Sequence, residues 1–187
     1  MKLKKILFLT LLSIPLFSQD LIGLNVNNDE IEIDTSLNLN KYMDVSASSA
    51  YIANLSYLHG VDKDLLTLGL GVYQNYGEVD GLLFGFGINS IVEEDLVALP
   101  LYAHAIYVLP FVKYFPKTNV SAKVSYAPKT LTFVDGEQYL EMRTEVDLDI
   151  LNDVSIYGGY RVITSSYKFD DDMDISDNFY GGFRYSF

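Results

Sequence analysis

The amino-acid sequence predicts an all-β protein, an antiparallel up-and-down transmembrane β-barrel of about ten strands, with eight to twelve as the range. Three observations carry this prediction. Apolar and polar residues alternate with a period of two along most of the chain. The chain starts with a leader typical of exported proteins. It ends on a strand-like segment whose final residue, Phe187, is aromatic, as bacterial outer-membrane barrels do.

Residues 1–18 have the features of a cleaved signal peptide. Three lysines precede an apolar run at residues 6–17, and Ser18 is a small residue at the expected cleavage site. The run is shorter than the roughly 20 apolar residues that a membrane-spanning helix needs, which argues against the alternative of a retained anchor. Residues 19–187 are then predicted to form one outer-membrane barrel domain.

The composition is apolar and acidic at once. Hydrophobic residues make up 49% of the chain, while 25 Asp and Glu stand against 13 Lys and Arg. Such a chain is suited to surfaces that meet two different solvents. Nucleic acid is excluded as a partner because a phosphate backbone requires a basic stripe, which this chain lacks. Since the sequence contains no cysteine, neither a lipoprotein anchor nor a disulfide framework is available.

The first half of the chain supplies five predicted strands. In the first, Ile22, Leu24 and Val26 alternate with polar residues up to a tight turn at residues 27–30. The second shows the most regular alternation, and the next three each place leucines or aromatic residues on a single parity. These strands are predicted at residues 21–27, 31–40, 51–57, 66–72 and 82–88.

The second half supplies five more. The apolar run at residues 96–112 is interrupted by Pro100, His104 and Pro110, which favours a strand at residues 98–108 over a buried helix. Regular alternation predicts the remaining strands and a long acidic loop at residues 165–177. These four strands are predicted at residues 120–126, 140–148, 154–162 and 176–187.

An even number of strands places both chain ends on the periplasmic side of the membrane. Residues 151–153 then form a short periplasmic turn, and the acidic loop at residues 165–177 is external. This matches the usual asymmetry of outer-membrane barrels, in which external loops are the longer ones.

The alternation alone fits either a membrane barrel or a secreted soluble β-sandwich or lipocalin-like binding protein. The leader, the aromatic ending and the many aromatics on the apolar parity favour the barrel, with tyrosines suited to the headgroup belts. The predicted location is the outer membrane of a diderm bacterium, with outer-membrane lipid as a partner. In the last strand, Phe183, Tyr185 and Phe187 face lipid and serve as the assembly strand for the barrel assembly machinery, and the strand closes the barrel by pairing with residues 21–27.

Several segments resemble the YfaZ family of bacterial outer-membrane proteins. They are residues 121–129 (SAKVSYAPK) with 131–133 (LTF), residues 139–141 (YLE), residues 159–161 (GYR) and the aromatic terminus. The resemblance is densest from Ser121 to Phe187, and the first strands depart from it by being poor in glycine and rich in acid. It implies an outer-membrane β-barrel, sometimes labelled a porin, with no established substrate or catalytic residues.

Charged residues collect on the parity that faces the lumen of the predicted barrel. One interpretation is a selectivity region lining a pore. The other, which we favour, is an internal ion-pair network that fills a narrow barrel, since buried charges must be paired and small barrels are filled by side chains. The predicted lumen residues are Glu32, Asp34, Lys123, Glu141, Arg143, Glu145, Asp147, Arg161 and Arg184.

Catalysis and metal binding have weak support. His59 has Asp62 and Asp64 nearby in sequence and His104 lies in an apolar run, but neither belongs to a nucleophile motif. The alternating acids Asp170, Asp172 and Asp174 resemble a calcium loop that lacks its glycine and its final glutamate. We therefore predict neither an enzyme nor a cofactor. The expected role is a narrow passive channel or a structural envelope component, with a membrane-embedded enzyme as the competing class.

Overall fold

The computed structural model describes residues 20–42, 49–61, 63–110, 116–167 and 173–187. The described chain consists of strands joined by turns, with two short 3₁₀ turns at Leu39–Lys41 and Lys129–Leu131. None of the described helices is long and apolar enough to cross a membrane. The strands are β1 Leu21–Val26, β2 Ile31–Asn38, β3 Ser49–His59, β4 Asp64–Asn75, β5 Leu82–Val92, β6 Leu96–Ala98, β7 Leu101–Val108, β8 Thr118–Ala127, β9 Thr132–Val134, β10 Gly136–Asp149, β11 Val154–Tyr167 and β12 Met173–Ser186.

Ten of these strands form a closed antiparallel barrel, which confirms the predicted fold class. Each strand pairs with its neighbour in the order β1, β2, β3, β4, β5, β7, β8, β10, β11, β12. The barrel closes between the first and last strands, where Leu21 lies opposite Ser186 and Val26 opposite Gly181. Asp20 and Phe187 extend this seam with two backbone hydrogen bonds of 2.9 and 3.0 Å. The prediction that the final strand pairs with the first is therefore confirmed.

The barrel has two distinct ends. Asp20 and Phe187, the first and last residues that the structure describes, lie at one of them, here called the terminal end, together with the turns at residues 76–81 and 150–153. The distal end carries the turns at residues 27–30, 60–63 and 93–95. The short strands β6 and β9 also lie there, where β6 pairs with both β5 and β9.

The stagger between strands sets the width of the barrel. The stagger can be read by starting at Leu21 and moving from each residue to its partner on the next strand, once around the barrel. This path reaches β12 at Met173, whereas the direct partner of Leu21 on β12 is Ser186. The path thus climbs thirteen residues along β12, one of them in a bulge between Asp174 and Ser176. A stagger of about twelve residues over ten strands implies a tilt of about 40° and a width of about 20 Å between strand axes. Long side chains from opposite walls of such a barrel meet inside.

The two faces of the barrel have opposite chemistry. The outer face exposes large apolar side chains, among them Phe86 (63% exposed), Leu101 (58%) and Leu68 (57%). The inner face buries charged groups, among them Arg161 (0%) and Glu32 (3%). A soluble sandwich or lipocalin-like barrel would turn its apolar face inward, so the soluble alternative is wrong for this fold.

Two predicted limits are wrong. The sixth predicted strand is interrupted at Leu99 and Pro100, since Pro cannot donate to the ladder. The acidic loop is also shorter than predicted, because β11 continues to Tyr167 and β12 begins at Met173. The acids that suggested a loop lie partly on the strand itself: Asp177 accepts a hydrogen bond from the Tyr160 hydroxyl on the outer face.

Candidate functional site: the barrel lumen

Three consecutive strands each direct one arginine into the lumen. β10, β11 and β12 carry Arg143, Arg161 and Arg184 on their inward parity. The acids that meet them come from β10 itself and from the far side of the β12–β1 seam, on β2 and the turn before it. The closed barrel therefore brings together charges that are more than a hundred residues apart in sequence.

Arg161 is the most deeply buried of the three. Its guanidinium donates to Glu30 and to Glu32, each at 2.5 Å, and its Nε donates to the Ser176 hydroxyl at 3.2 Å. Asn25 adds a hydrogen bond to Glu32 at 2.9 Å. This cluster ties β11 to β2 across β12 and β1, so it bridges the seam at which the barrel closes.

Arg143 extends the network across the lumen. It lies 3.1 Å from Glu32, 3.3 Å from Glu141 and 3.9 Å from Glu145. Its bond to Glu32 joins β10 to β2, which three strands separate in the barrel wall. The Tyr180 ring is close to Arg143 as well as to Arg161, at 5.7 and 5.2 Å from the two guanidinium carbons. Arg143 therefore spans the interior rather than lining one wall.

Arg184 forms a third cluster nearer the terminal end. It donates to Glu145 at 3.1 Å and to Asp147, and it stacks on the Tyr157 ring at 3.9 Å. The Tyr180 hydroxyl donates to the same Glu145 at 2.7 Å. The three arginine clusters thus share acids and form one continuous network, in which a carboxylate such as Glu145 meets two arginines.

Two of the predicted lumen residues lie outside this network. Within the described chain, Lys123 and Asp34 make no ion pair of 4 Å or less. Lys123 instead lies 5.0 Å from the Tyr102 ring and opposite His104 on β7. Glu30 belongs to the network but was interpreted as part of a turn, although its parity matches that of Glu32 and could have revealed it.

A polar cavity of about 150 Å³ remains beside the network. The charged network forms one side of it. The opposite side carries hydroxyl, amide and imidazole groups from β3, β4 and β7, including Asn54, Thr67 and His104. Its wall contains both hydrogen-bond donors and acceptors, so the cavity is suited to water and small polar solutes.

The comparisons with known proteins agree with this geometry. The family model described as "YfaZ precursor" matches residues 3–187. The chain belongs to the YfaZ family. This confirms the resemblance found in the sequence and, with a closed barrel whose outer face is apolar, places this YfaZ protein in the outer membrane.

Solved structures resemble the YfaZ chain in fold. One is a KdgM porin, with a TM-score of 0.51 and 10% identity over 91% of this chain and 99% of that one. Another is a KdgM porin in complex with disordered oligogalacturonate, with a TM-score of 0.50 and 11% identity over the same shares. At this identity the likeness concerns the barrel fold. No curated protein matches the chain in sequence.

The histidines of this YfaZ protein lie apart. His59 is exposed on the outer face, where its Nδ1 lies 2.6 Å from Asp64. His104 faces the lumen, and the Tyr73 hydroxyl lies 3.0 Å from its Nδ1. The two rings therefore do not belong to one site.

Of the three candidate metal ligands, only Asp174 lies among the described residues. Asp170 and Asp172 lie outside the described residues, while Asp174 is exposed and accepts a hydrogen bond from Thr164 at 3.1 Å. Among the residues that the structure describes, no group of three or more His, Asp or Glu side chains is placed to hold a metal ion.

Proposed function

We propose that this YfaZ protein is a narrow passive channel of the outer membrane. The observation that carries the proposal is the unfilled polar cavity inside a closed barrel whose outer face is apolar. A barrel that served only as a wall element could fill its interior with side chains, as eight-stranded barrels do. Here space remains between the charged network and the β3, β4 and β7 wall, and it is lined by groups that hold water.

The proposed orientation follows from the even strand number. Export through a signal peptide at residues 1–18 is followed by removal of that segment. The barrel assembly machinery then inserts the chain by its last strand, with Phe187 and the terminal end on the periplasmic side. The apolar outer residues of β12, Phe183 and Tyr185, enter the lipid as the barrel closes.

The lumen charges favour weak selectivity for cations. Among the described residues, the charged network together with Lys123 and Asp34 holds six acids and four bases. Because most of these charges are paired with one another, the electrostatic potential on a passing ion is small. The excess of acids makes this potential negative, which favours cations. The acids are Glu30, Glu32, Asp34, Glu141, Glu145 and Asp147, and the bases are Lys123, Arg143, Arg161 and Arg184.

Single-channel recording of the purified, refolded protein in planar bilayers tests the proposal. Small, brief current steps with a modest cation preference under a salt gradient are expected. Detergent alone and the same protein left unfolded in urea serve as controls. The channel proposal fails if the refolded barrel, shown to be folded by its heat-dependent gel mobility, gives no steps at any voltage that the bilayer withstands.

A structural role is the second candidate, and one observation favours it. The Arg143 to Glu32 ion pair crosses the interior and cross-braces the barrel wall. Under this role, substitution of the lumen arginines lowers the free energy of unfolding of the barrel, and neither wild type nor variants give current steps. A catalytic role is not proposed, because His59 and His104 are separated and neither lies in a recognisable nucleophile arrangement.

A further inference from the structure

The inner face of the barrel changes character at its distal end. Where the rest of the lumen is polar, this end holds a set of apolar side chains that are 0–3% exposed. They come from seven strands, β3, β4, β5, β6, β8, β10 and β11, which together cover most of the circumference. These residues, called the apolar layer below, are Leu58, Leu65, Ile91, Leu96, Ala98, Ala127, Tyr139 and Ile163.

The short strands β6 and β9 help to build the apolar layer. β6 lies before Pro100 and keeps the register of β7 against β5, but on its other side it pairs with β9, and Leu96 lies on the same inward parity as Ala98. The backbone at Gly136 passes so close that a Cβ there would lie 2.2 Å from a methyl carbon of Leu96. Leu131 packs against the layer as well. Together β6 and β9 thus extend the barrel wall at the distal end and place Leu96 across the barrel mouth.

The remaining sector of the distal cross-section is filled by the buried Arg161 cluster with Glu30 and Glu32. Above the apolar layer, Lys63 lies 2.5 Å from Glu93, and the Tyr167 hydroxyl donates to Glu93 at 3.3 Å. The hydrogen bond to Glu93 raises the pKa of Lys63. Side chains therefore close the distal end in two successive levels.

The terminal end differs. Both faces of β2 from Asp34 onward are partly exposed, as are both faces of β3 up to Ser56 and of β7 from His104 to Val108. The polar cavity lies on this side, and Leu58, Leu65, Tyr139 and Ile163 of the apolar layer form its end wall. Among the described residues, the cavity is therefore open toward the terminal end and is closed by the layer on the distal side.

We infer that the apolar layer, and not the charged network, is the barrier to permeation. The inference rests on the proposed channel function. An ion that crosses the layer must lose hydrating water between leucine, isoleucine and tyrosine side chains, which provide few polar groups to replace that water. This cost is the physical basis of a hydrophobic gate. Arg143 and Arg184, whose side chains are each 17% exposed, lie beneath it on the side of the terminal end, whereas Arg161 and its acids are buried beside it. Conduction then requires transient opening of the layer.

Polar substitution within the layer tests this inference. Leu65→Asn keeps the number and branching of the side-chain heavy atoms and gives water two partners at the end wall of the cavity. We expect the fraction of time spent open to rise at least tenfold over wild type. Leu96→Ser is a second variant at another point of the layer. Val61→Asn is the matched control, because Val61 lies in a distal turn and is 78% exposed, so its change leaves the current record as in wild type.

A labelling experiment locates the barrier without requiring any current. The sequence has no cysteine, so Asn54→Cys places a single thiol in the cavity. In proteoliposomes of known orientation, a small charged maleimide should modify this thiol from the terminal side only. Addition of Leu65→Asn should allow modification from both sides.

The outcomes separate the two proposals. Modification of wild-type Asn54→Cys from the distal side would overturn the inference while leaving the channel in place. Where wild type does give current steps, folded Leu65→Asn and Leu96→Ser variants that conduct no more than Val61→Asn would also overturn it. One-sided labelling with no steps in wild type or variants would instead refute the channel, because the barrier would then close a lumen that never conducts.

Discussion

Replacement of Arg161 by methionine is the sharpest test of the lumen network. Arg161 is 0% exposed and holds Glu30 and Glu32, whose side chains are each 4% exposed, at 2.5 Å. Methionine fills similar space without charge, so two buried carboxylates lose a partner. Breaking a buried ion pair from one side costs about 3–5 kcal/mol, and we expect a loss in this range.

The loss is measured by urea unfolding of the barrel in lipid vesicles. With a slope of about 2 kcal/mol per molar urea, the midpoint should fall by roughly 2 M. Lys129→Met is the control, because its ion pair with Glu137 is solvent-exposed and such pairs contribute at most about 1 kcal/mol. Addition of Glu30→Gln to Arg161→Met should restore part of the stability, since Glu32 still has Arg143 at 3.1 Å.

A loss for Arg161→Met no larger than that of Lys129→Met would refute this reasoning. It would mean that Glu30 and Glu32 are hydrated or protonated in the folded barrel, so that the Arg161 guanidinium neutralises no buried negative charge. In that case, addition of Glu30→Gln to Arg161→Met would also give no gain in stability, because there would be no unpaired carboxylate for the second substitution to remove.

Three further changes have clear expectations. Arg184→Ala removes a positive charge and a stacked side chain, so cation preference, read from the reversal potential in a salt gradient, should increase. Gly182→Ala should lower the folded yield, because its Cβ would lie 2.2 Å from the Leu24 carbonyl oxygen, whereas Gly181→Ala, with 3.6 Å of clearance, should not. Deletion of Phe187 removes the backbone hydrogen bonds that join the termini and should slow assembly, measured by the heat-dependent gel shift.

The sequence revealed the barrel and its two faces because alternation is a local property. Parity alone assigned Arg143, Arg161 and Arg184 to the lumen. The partners of these residues could not be predicted the same way, since pairing across strands depends on the stagger. Thus Arg161 meets Glu30 in a turn, and Lys123 faces a tyrosine ring rather than an acid.

The apolar layer left a signal that the sequence interpretation missed. Leu58, Leu65 and Ile91 lie on the polar parity of their strands, each near the turn at the same end of the barrel. An apolar residue on the lumen parity is anomalous once the barrel is assumed. The extra length of β11 and β12 was missed for another reason: Asp174 and Asp177 are acids of a kind typical of loops, although both lie on β12.

The seam between β1 and β12 has a consequence for the order of folding. One edge of β1 pairs with β2, but the partner of its other edge, β12, is about 160 residues away in sequence. That edge therefore stays unpaired until the rest of the chain has folded. Contacts of such sequence separation form late, because the loop that joins them must close first. A chain halted before residue 181 would expose two open edges, each able to recruit strands from another molecule. The chain therefore needs chaperones most between the export of its first strand and the pairing of its last strand.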